Sequence, residues 1–115
     1  MVVDKDMIEG QLDRIFRALS DGTRRDIISR VLQGPQSVTE LASRYDMTFA
    51  AVQKHVAVLE DAGLVSKRAQ GRERLVLGQV ETINKVQKYL AQFEKIWRQR
   101  FAQLDALLAE EPEES

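Results

Sequence analysis

Apolar positions recur at helical spacing in five stretches of this 115-residue chain, each bounded by turn residues. Ile8, Leu12, Ile15 and Leu19 follow a 4-3-4 spacing, which predicts an amphipathic helix over 5–19, its stripe widened by Met7 and Phe16. Ser20-Asp21-Gly22-Thr23 breaks that helix and re-caps the next one, about 23–33, with Ile27, Ile28, Val31 and Leu32 inward. Gly34-Pro35 ends it. Ser37-Val38-Thr39-Glu40 reads as a capping box, since the Ser37 hydroxyl and the Glu40 carboxylate can each satisfy the other's backbone N–H. The short helix it opens turns Val38, Leu41, Ala42 and Tyr45 inward. Tyr45-Asp46-Met47-Thr48 is a tight turn, and Thr48 suits an N-cap.

The stretch from Thr48 to Val65 is the most informative. Val52, Val56 and Leu59 make one apolar stripe, while Thr48, Phe49, Ala50, Gln53, Lys54 and Ala57 share the opposite face. Such a small, mildly basic face at a helix start suits a DNA major groove. Gly63 is a natural left-handed stop. Leu64 to Arg68 and Leu75 to Leu77 read as two strands around the polar tip Gln70-Gly71-Arg72-Glu73-Arg74. Two short helices across a tight turn make a helix-turn-helix, and a basic hairpin after it is a wing. From about 82 to 110 one long helix carries Val86, Leu90, Phe93, Trp97, Phe101, Leu104 and Leu108 at 4-3-4-4-3-4 spacing. That stripe outruns the core a small winged domain needs.

The fold expected is mainly α with a small β-hairpin, a winged helix-turn-helix in the order α-α-α-α-β-β-α. We expect a single domain over 1–115: dimerisation helices at 5–19 and 82–110, the helix-turn-helix at 37–62, and the wing at 64–78. The length fits one domain with a modest core, leaving apolar surface for a partner subunit. Net charge is near zero, with a slightly basic middle and acidic ends: residues 20–80 carry nine Lys/Arg against seven Asp/Glu. Charge alone would not have suggested DNA. No cysteine is present, which excludes disulfides, thiolate metal sites and thiol redox chemistry. One histidine cannot build a His-rich metal site. No apolar run reaches the roughly 20 residues a membrane span needs, and MVVDKDMIEG is unlike a secretory signal. A cytoplasmic protein without membrane contact and without a cofactor is expected.

The run from Phe16 to Leu77 resembles the ArsR/SmtB family of winged-helix bacterial repressors. The pieces that carry the likeness are ALSDGTRRDIISRVLQGPQSVTELA (18–42), AVQKHVAVLEDAGLVSKRAQGRERLVL (51–77) and VQKYLAQFEKIWRQRFAQLDALL (86–108). The middle one is the specific one, with Val56 where members commonly have Leu after His. Metal sensors of that family use Cys on the helix before the turn, or Asp and His on the last helix. Here VTELASRYD has no Cys, and the last helix has Asn84 and Lys88 but no His. Trp97 and Arg100 ahead of Leu104 look more like the metal-independent branch, which includes autorepressors.

Gln53 and Lys54 are the first candidates for base contacts. Gln can pair with adenine through two hydrogen bonds, and Lys can reach guanine O6 and N7. The resemblance implies base-reading residues at these positions too. Phe49 and Ala50 can touch a thymine methyl, although Phe49 suits equally well a place against the preceding turn. Thr48 either meets the groove or serves only as the cap. His55 either reaches a phosphate or packs at the base of the helix; as a metal ligand it lacks partners. Arg72 and Arg74 can enter the minor groove or bind flanking phosphates, against the plainer reading of a solubilising tip. Ser37 and Thr39 can donate to phosphate, although capping alone explains Ser37. Arg24 and Arg25 fit either the DNA backbone or salt bridges to Asp21 and Asp26. Phe93, Trp97, Phe101 and Leu104 are expected at a dimer interface with Ile8, Leu12 and Ile15, rather than around a ligand pocket.

The function expected is a homodimeric, sequence-specific DNA-binding repressor on an inverted-repeat operator in double-stranded DNA, without a metal inducer. A small-molecule inducer is left open. The alternatives are a metal- or ligand-responsive sensor of the same family and a winged-helix protein-interaction module. An enzyme has almost nothing behind it: no Cys, one His, and no Gly-rich phosphate loop.

Overall fold

The computed structural model describes the backbone of residues 2–110 and the side chains of residues 9–109. In chain order the elements are α1 (Val2–Leu19), α2 (Gly22–Gln33), β1 (Gln36–Ser37), α3 (Val38–Ala42), α4 (Phe49–Asp61), β2 (Val65–Gln70), β3 (Glu73–Gly78) and α5 (Val80–Glu110). This is a mainly helical winged helix-turn-helix, as the hydrophobic pattern predicts. The chain divides into two compact units, residues 1–83 and 84–115. No helix among the described residues is long and apolar enough to cross a membrane.

The first unit is built around α4. Val52, Val56 and Leu59 are sealed from solvent, and they share the core with Ile15, Ile27, Leu41, Leu64 and Val76. Each buried side chain of this size is worth about 1.5–3 kcal/mol relative to exposure, so the stripe on α4 fixes its seat firmly. Leu12 and Ile15 are also inside, at 5% and 1% exposure. The expectation that they meet a partner subunit is therefore corrected: this unit's own core takes them. Ile8 lies outside the described side chains. Leu32, expected inward, is exposed, and its side chain lies close over Gly78 instead.

The expected hairpin has a third strand. β1 pairs antiparallel with β3, Gln36 opposite Val76 and Ser37 opposite Leu75, and the sheet order is β1-β3-β2. A two-residue strand carries no period-2 pattern, so the sequence held no sign of it. Its effect is to pin the start of α3 to the wing. β2 and β3 pair from Val65 with Gly78 to Gln70 with Glu73, which leaves Gly71 and Arg72 as the loop. Gly71 has φ +63, the positive angle that the first position of a type II′ hairpin turn demands.

α4 ends in a Schellman motif. Gly63 N–H donates to Glu60 O and Leu64 N–H to Leu59 O, both at 3.0 Å. Gly63 sits at φ +77, and its carbonyl accepts from the Thr82 hydroxyl at 2.6 Å. The turn that stops the helix thus also anchors the first turn of α5. Gly63→Ala is expected to cost about 1–2 kcal/mol, the penalty for a side chain in the left-handed region, read as a lower midpoint in denaturant unfolding.

The second unit is the rest of α5. Leu90, Phe93, Trp97, Phe101, Leu104 and Leu108 are all exposed along it, Trp97 by 61%. Trp97 and Phe101 stack edge to face with centroids 4.7 Å apart, and Tyr89 and Phe93 do so at 5.1 Å. An apolar stripe this continuous marks an interaction surface rather than a solvated face.

Candidate nucleic-acid interface

Three local devices set the helix-turn-helix. The capping box on α3 is complete: Glu40 N–H donates to Ser37 Oγ at 3.0 Å, and Ser37 N–H donates to the Glu40 carboxylate at 2.9 Å. Thr48 caps α4, its hydroxyl accepting from Ala51 N–H at 3.1 Å. Between them Tyr45 holds the turn to α2 through a 2.5 Å hydrogen bond from its hydroxyl to the Asp26 carboxylate. Arg30 completes that contact, donating to the same oxygen at 2.8 Å. The Tyr45 and Arg30 hydrogen bonds hold the Asp26 carboxyl below the ordinary aspartate value. Burial, then the neighbouring carboxylate, push the Tyr45 phenol up. Tyr45 was expected as a plain core residue; its hydroxyl makes it a tie between turn and scaffold.

With the core stripe underneath, α4 turns Thr48, Phe49, Ala50, Gln53, Lys54 and Ala57 to solvent. The sequence placed all six on this face. Phe49 is 47% exposed, so its ring is open to a ligand and not packed away. The wing tip carries Arg72 and Arg74, both exposed. Behind it, Lys67 on β2 pairs with Glu60 on α4 at 3.6 Å, which ties the hairpin to the helix. Among the described residues, the exposed cations of α4 and the wing are therefore Lys54, Arg68, Arg72 and Arg74. Thr39 is exposed at the start of α3.

Two expected DNA contacts move off this surface. Ser37 is 1% exposed, and both its hydroxyl and its N–H serve the capping box, so neither is free for a phosphate. His55 is half-buried, and at 100° per residue it lies nearly opposite the Gln53–Ala57 face. Its Nδ1 lies 3.2 Å from an Arg24 guanidinium nitrogen. Packing at the base of α4 accounts for it. Arg24 and Arg25 also depart from expectation. They do not pair with Asp21 or Asp26 but close the C-terminus of α1, donating to the carbonyls of Arg17, Ala18 and Leu19. Nothing in their spacing signals this, because the carbonyls belong to the preceding helix. On α5, the hollow beside Trp97 and Phe101 is walled by Glu94, Arg98, Ala102 and Asp105 of the same helix. It is a groove along one helix, not an enclosed ligand pocket.

The comparisons with known proteins agree with this geometry. A family model described as bacterial regulatory protein, arsR family, matches residues 21–67. The crystal structure of an ArsR family transcriptional regulator superposes with a TM-score of 0.74 at 38% identity, covering 78% of this chain and 93% of that one. This chain belongs to the ArsR family. The HTH-type transcriptional regulator YuzN of Bacillus subtilis is 33% identical over 88 residues, 70% of this chain and 96% of that protein. The HTH-type transcriptional regulator Rv2034 of Mycobacterium tuberculosis is 44% identical over 63 residues. That match covers 55% of this chain and 59% of the relative's length. As an ArsR-family protein the chain is a DNA-binding transcriptional regulator and not an enzyme.

The Asp26 contact has a pH signature. A carboxyl held below its ordinary value contributes stability that is present above that value and is lost as pH falls through the folded one. Thermal unfolding of the ArsR-family chain is therefore expected to steepen below about pH 4. Asp26→Asn lowers the melting temperature at neutral pH, and its deficit against the wild type narrows in acid.

Proposed function

We propose that this regulator acts as a homodimeric repressor on an inverted-repeat operator, without a metal inducer. Each subunit lays α4 in a major groove, with Gln53 and Lys54 reading bases and Thr48, Phe49 and Ala50 entering first. Arg72 and Arg74 carry the wing to the adjacent minor groove or its phosphates, and Thr39 donates to the backbone. Ser37 and His55 support the surface from behind. The observation that carries this reading is the exposed face of α4, small and polar over a stripe sealed from solvent. The apolar stripe of α5, from Phe93 through Trp97 and Phe101 to Leu104, supports dimerisation. Residues 1–115 act as one functional domain in this reading.

Metal independence is supported by composition: the chain has no cysteine and one histidine. Among the described residues no group of three His, Cys, Asp or Glu side chains converges on a metal-sized site, and the one imidazole already faces Arg24.

Few cations face the groove, so a modest number of phosphate contacts per subunit and a clear salt dependence are expected. Gln53→Ala with Lys54→Ala is expected to lower the preference for operator over random duplex by at least about tenfold, each good base contact being worth roughly 1–3 kcal/mol. Binding measured at one salt concentration, alongside the circular dichroism melt, separates this from unfolding. Unchanged discrimination would remove Gln53 and Lys54 from the reading face. Zinc, cadmium or mercuric ions added to the same assay are expected to leave the affinity unchanged.

A further inference from the structure

Arg24 joins three helices. Its Nε donates to Ala18 O at 2.7 Å and a terminal nitrogen donates to Arg17 O at 3.0 Å, both at the end of α1. Its other terminal nitrogen faces His55 Nδ1 on α4 at 3.2 Å. Its own backbone N–H, in the first turn of α2, donates to the Asp21 carboxylate at 3.1 Å. A guanidinium carries only donors and keeps its charge throughout the accessible pH range. His55 Nδ1 must therefore be the acceptor, and a neutral ring must carry its proton on Nε2. That second nitrogen has no hydrogen bond within the described residues and is not among their buried unsatisfied atoms, so it is open to water.

We propose that Arg24 is a positioning residue for the recognition helix, holding α4 to the α1–α2 corner through neutral, Nε2-protonated His55. The proposal rests on reading α4 as the recognition helix. The stripe of Val52, Val56 and Leu59 fixes how deep α4 sits. A polar link on its flank additionally resists rotation about that seat, and rotation is the motion that would misalign Gln53 and Lys54. A ring carrying its proton on Nδ1 would set donor against donor, so the link selects one tautomer.

The charged groups around it are accounted for. Asp21, the N-cap of α2, lies near the ring, and its own carboxyl is held down first by the Arg24 N–H, with the Arg24 charge adding to this. From α1, Arg14 and Arg17 line a hollow further along α4 with Asp61. From β2, Lys67 is taken by Glu60. Arg44, just beyond α3, acts on Asp26.

Two measurements on the full chain test this. Long-range proton–nitrogen NMR of the free protein at neutral pH is expected to show His55 as the Nε2–H tautomer, and Arg24→Met to abolish that fixed preference. A ring protonated on Nδ1 in the wild type would overturn the proposal, whatever the DNA does. The second measurement is affinity for a duplex selected from random DNA at neutral pH. Arg24→Met and His55→Phe are each expected to weaken binding roughly tenfold, and the double variant no further, as for two groups sharing one contact. His55→Asn keeps an acceptor near the Nδ1 position and cannot be protonated. It is expected to bind like the wild type. A folded Arg24→Met protein with full affinity, or a His55→Asn protein as weak as His55→Phe, would contradict the proposal. If no variant binds the selected duplex better than random DNA, it is the recognition-helix reading that fails, and the tautomer result still stands.

Discussion

Burial of Val52, Val56 and Leu59 holds α4 rigid while leaving one side of it bare, the two demands that the proposed recognition role makes of it. All three are fully sealed, so α4 cannot turn without exposing them. The rest of the first unit frames that seat. The Thr48 cap and the Gly63 stop set where the helix begins and ends. Tyr45 holds the preceding turn to α2. Lys67 and Glu60 bind the wing to its flank. What the seat leaves exposed, from Phe49 to Ala57, is the surface available for recognition.

Most of the fold was legible because its signals are local. Periods of three and four residues gave the helices, and Gly, Pro, Ser and Thr gave their limits. The capping box of Ser37 and Glu40 was readable to the atom. What escaped the sequence depends on partners distant along the chain. β1 is too short to have a period. Arg24 and Arg25 turn back to carbonyls of α1, which any helix C-terminus offers and no side chain announces. Leu12 and Ile15 show the same limit from another side, since an apolar stripe says that a face is buried but not against what.

The candidate interface was readable for a related reason. Exposure on α4 is the complement of its buried stripe, so finding Val52, Val56 and Leu59 also places Gln53 and Lys54 outward. Ser37 falls off the surface because its hydroxyl and N–H are used in the capping box, and His55 because its Nδ1 faces Arg24 on the side of α4 away from Gln53 and Ala57. A hydroxyl or an imidazole has the same chemistry in either role, and its neighbours in space decide between them. The apolar face of α5 completes the account. Its spacing is that of a packed helix, yet Phe93, Trp97, Phe101 and Leu104 remain exposed in the single chain, and this is the face that the proposed dimer would bury.

Hydroxyl-radical footprinting on a selected duplex tests that account most directly, because it reports groove, spacing and symmetry together. Two equivalent protected patches are expected, centred about one helical turn (~34–36 Å) or a multiple apart, each with its flanking minor groove covered. One isolated patch, or uniform protection without symmetry, would contradict a dimer presenting two copies of α4.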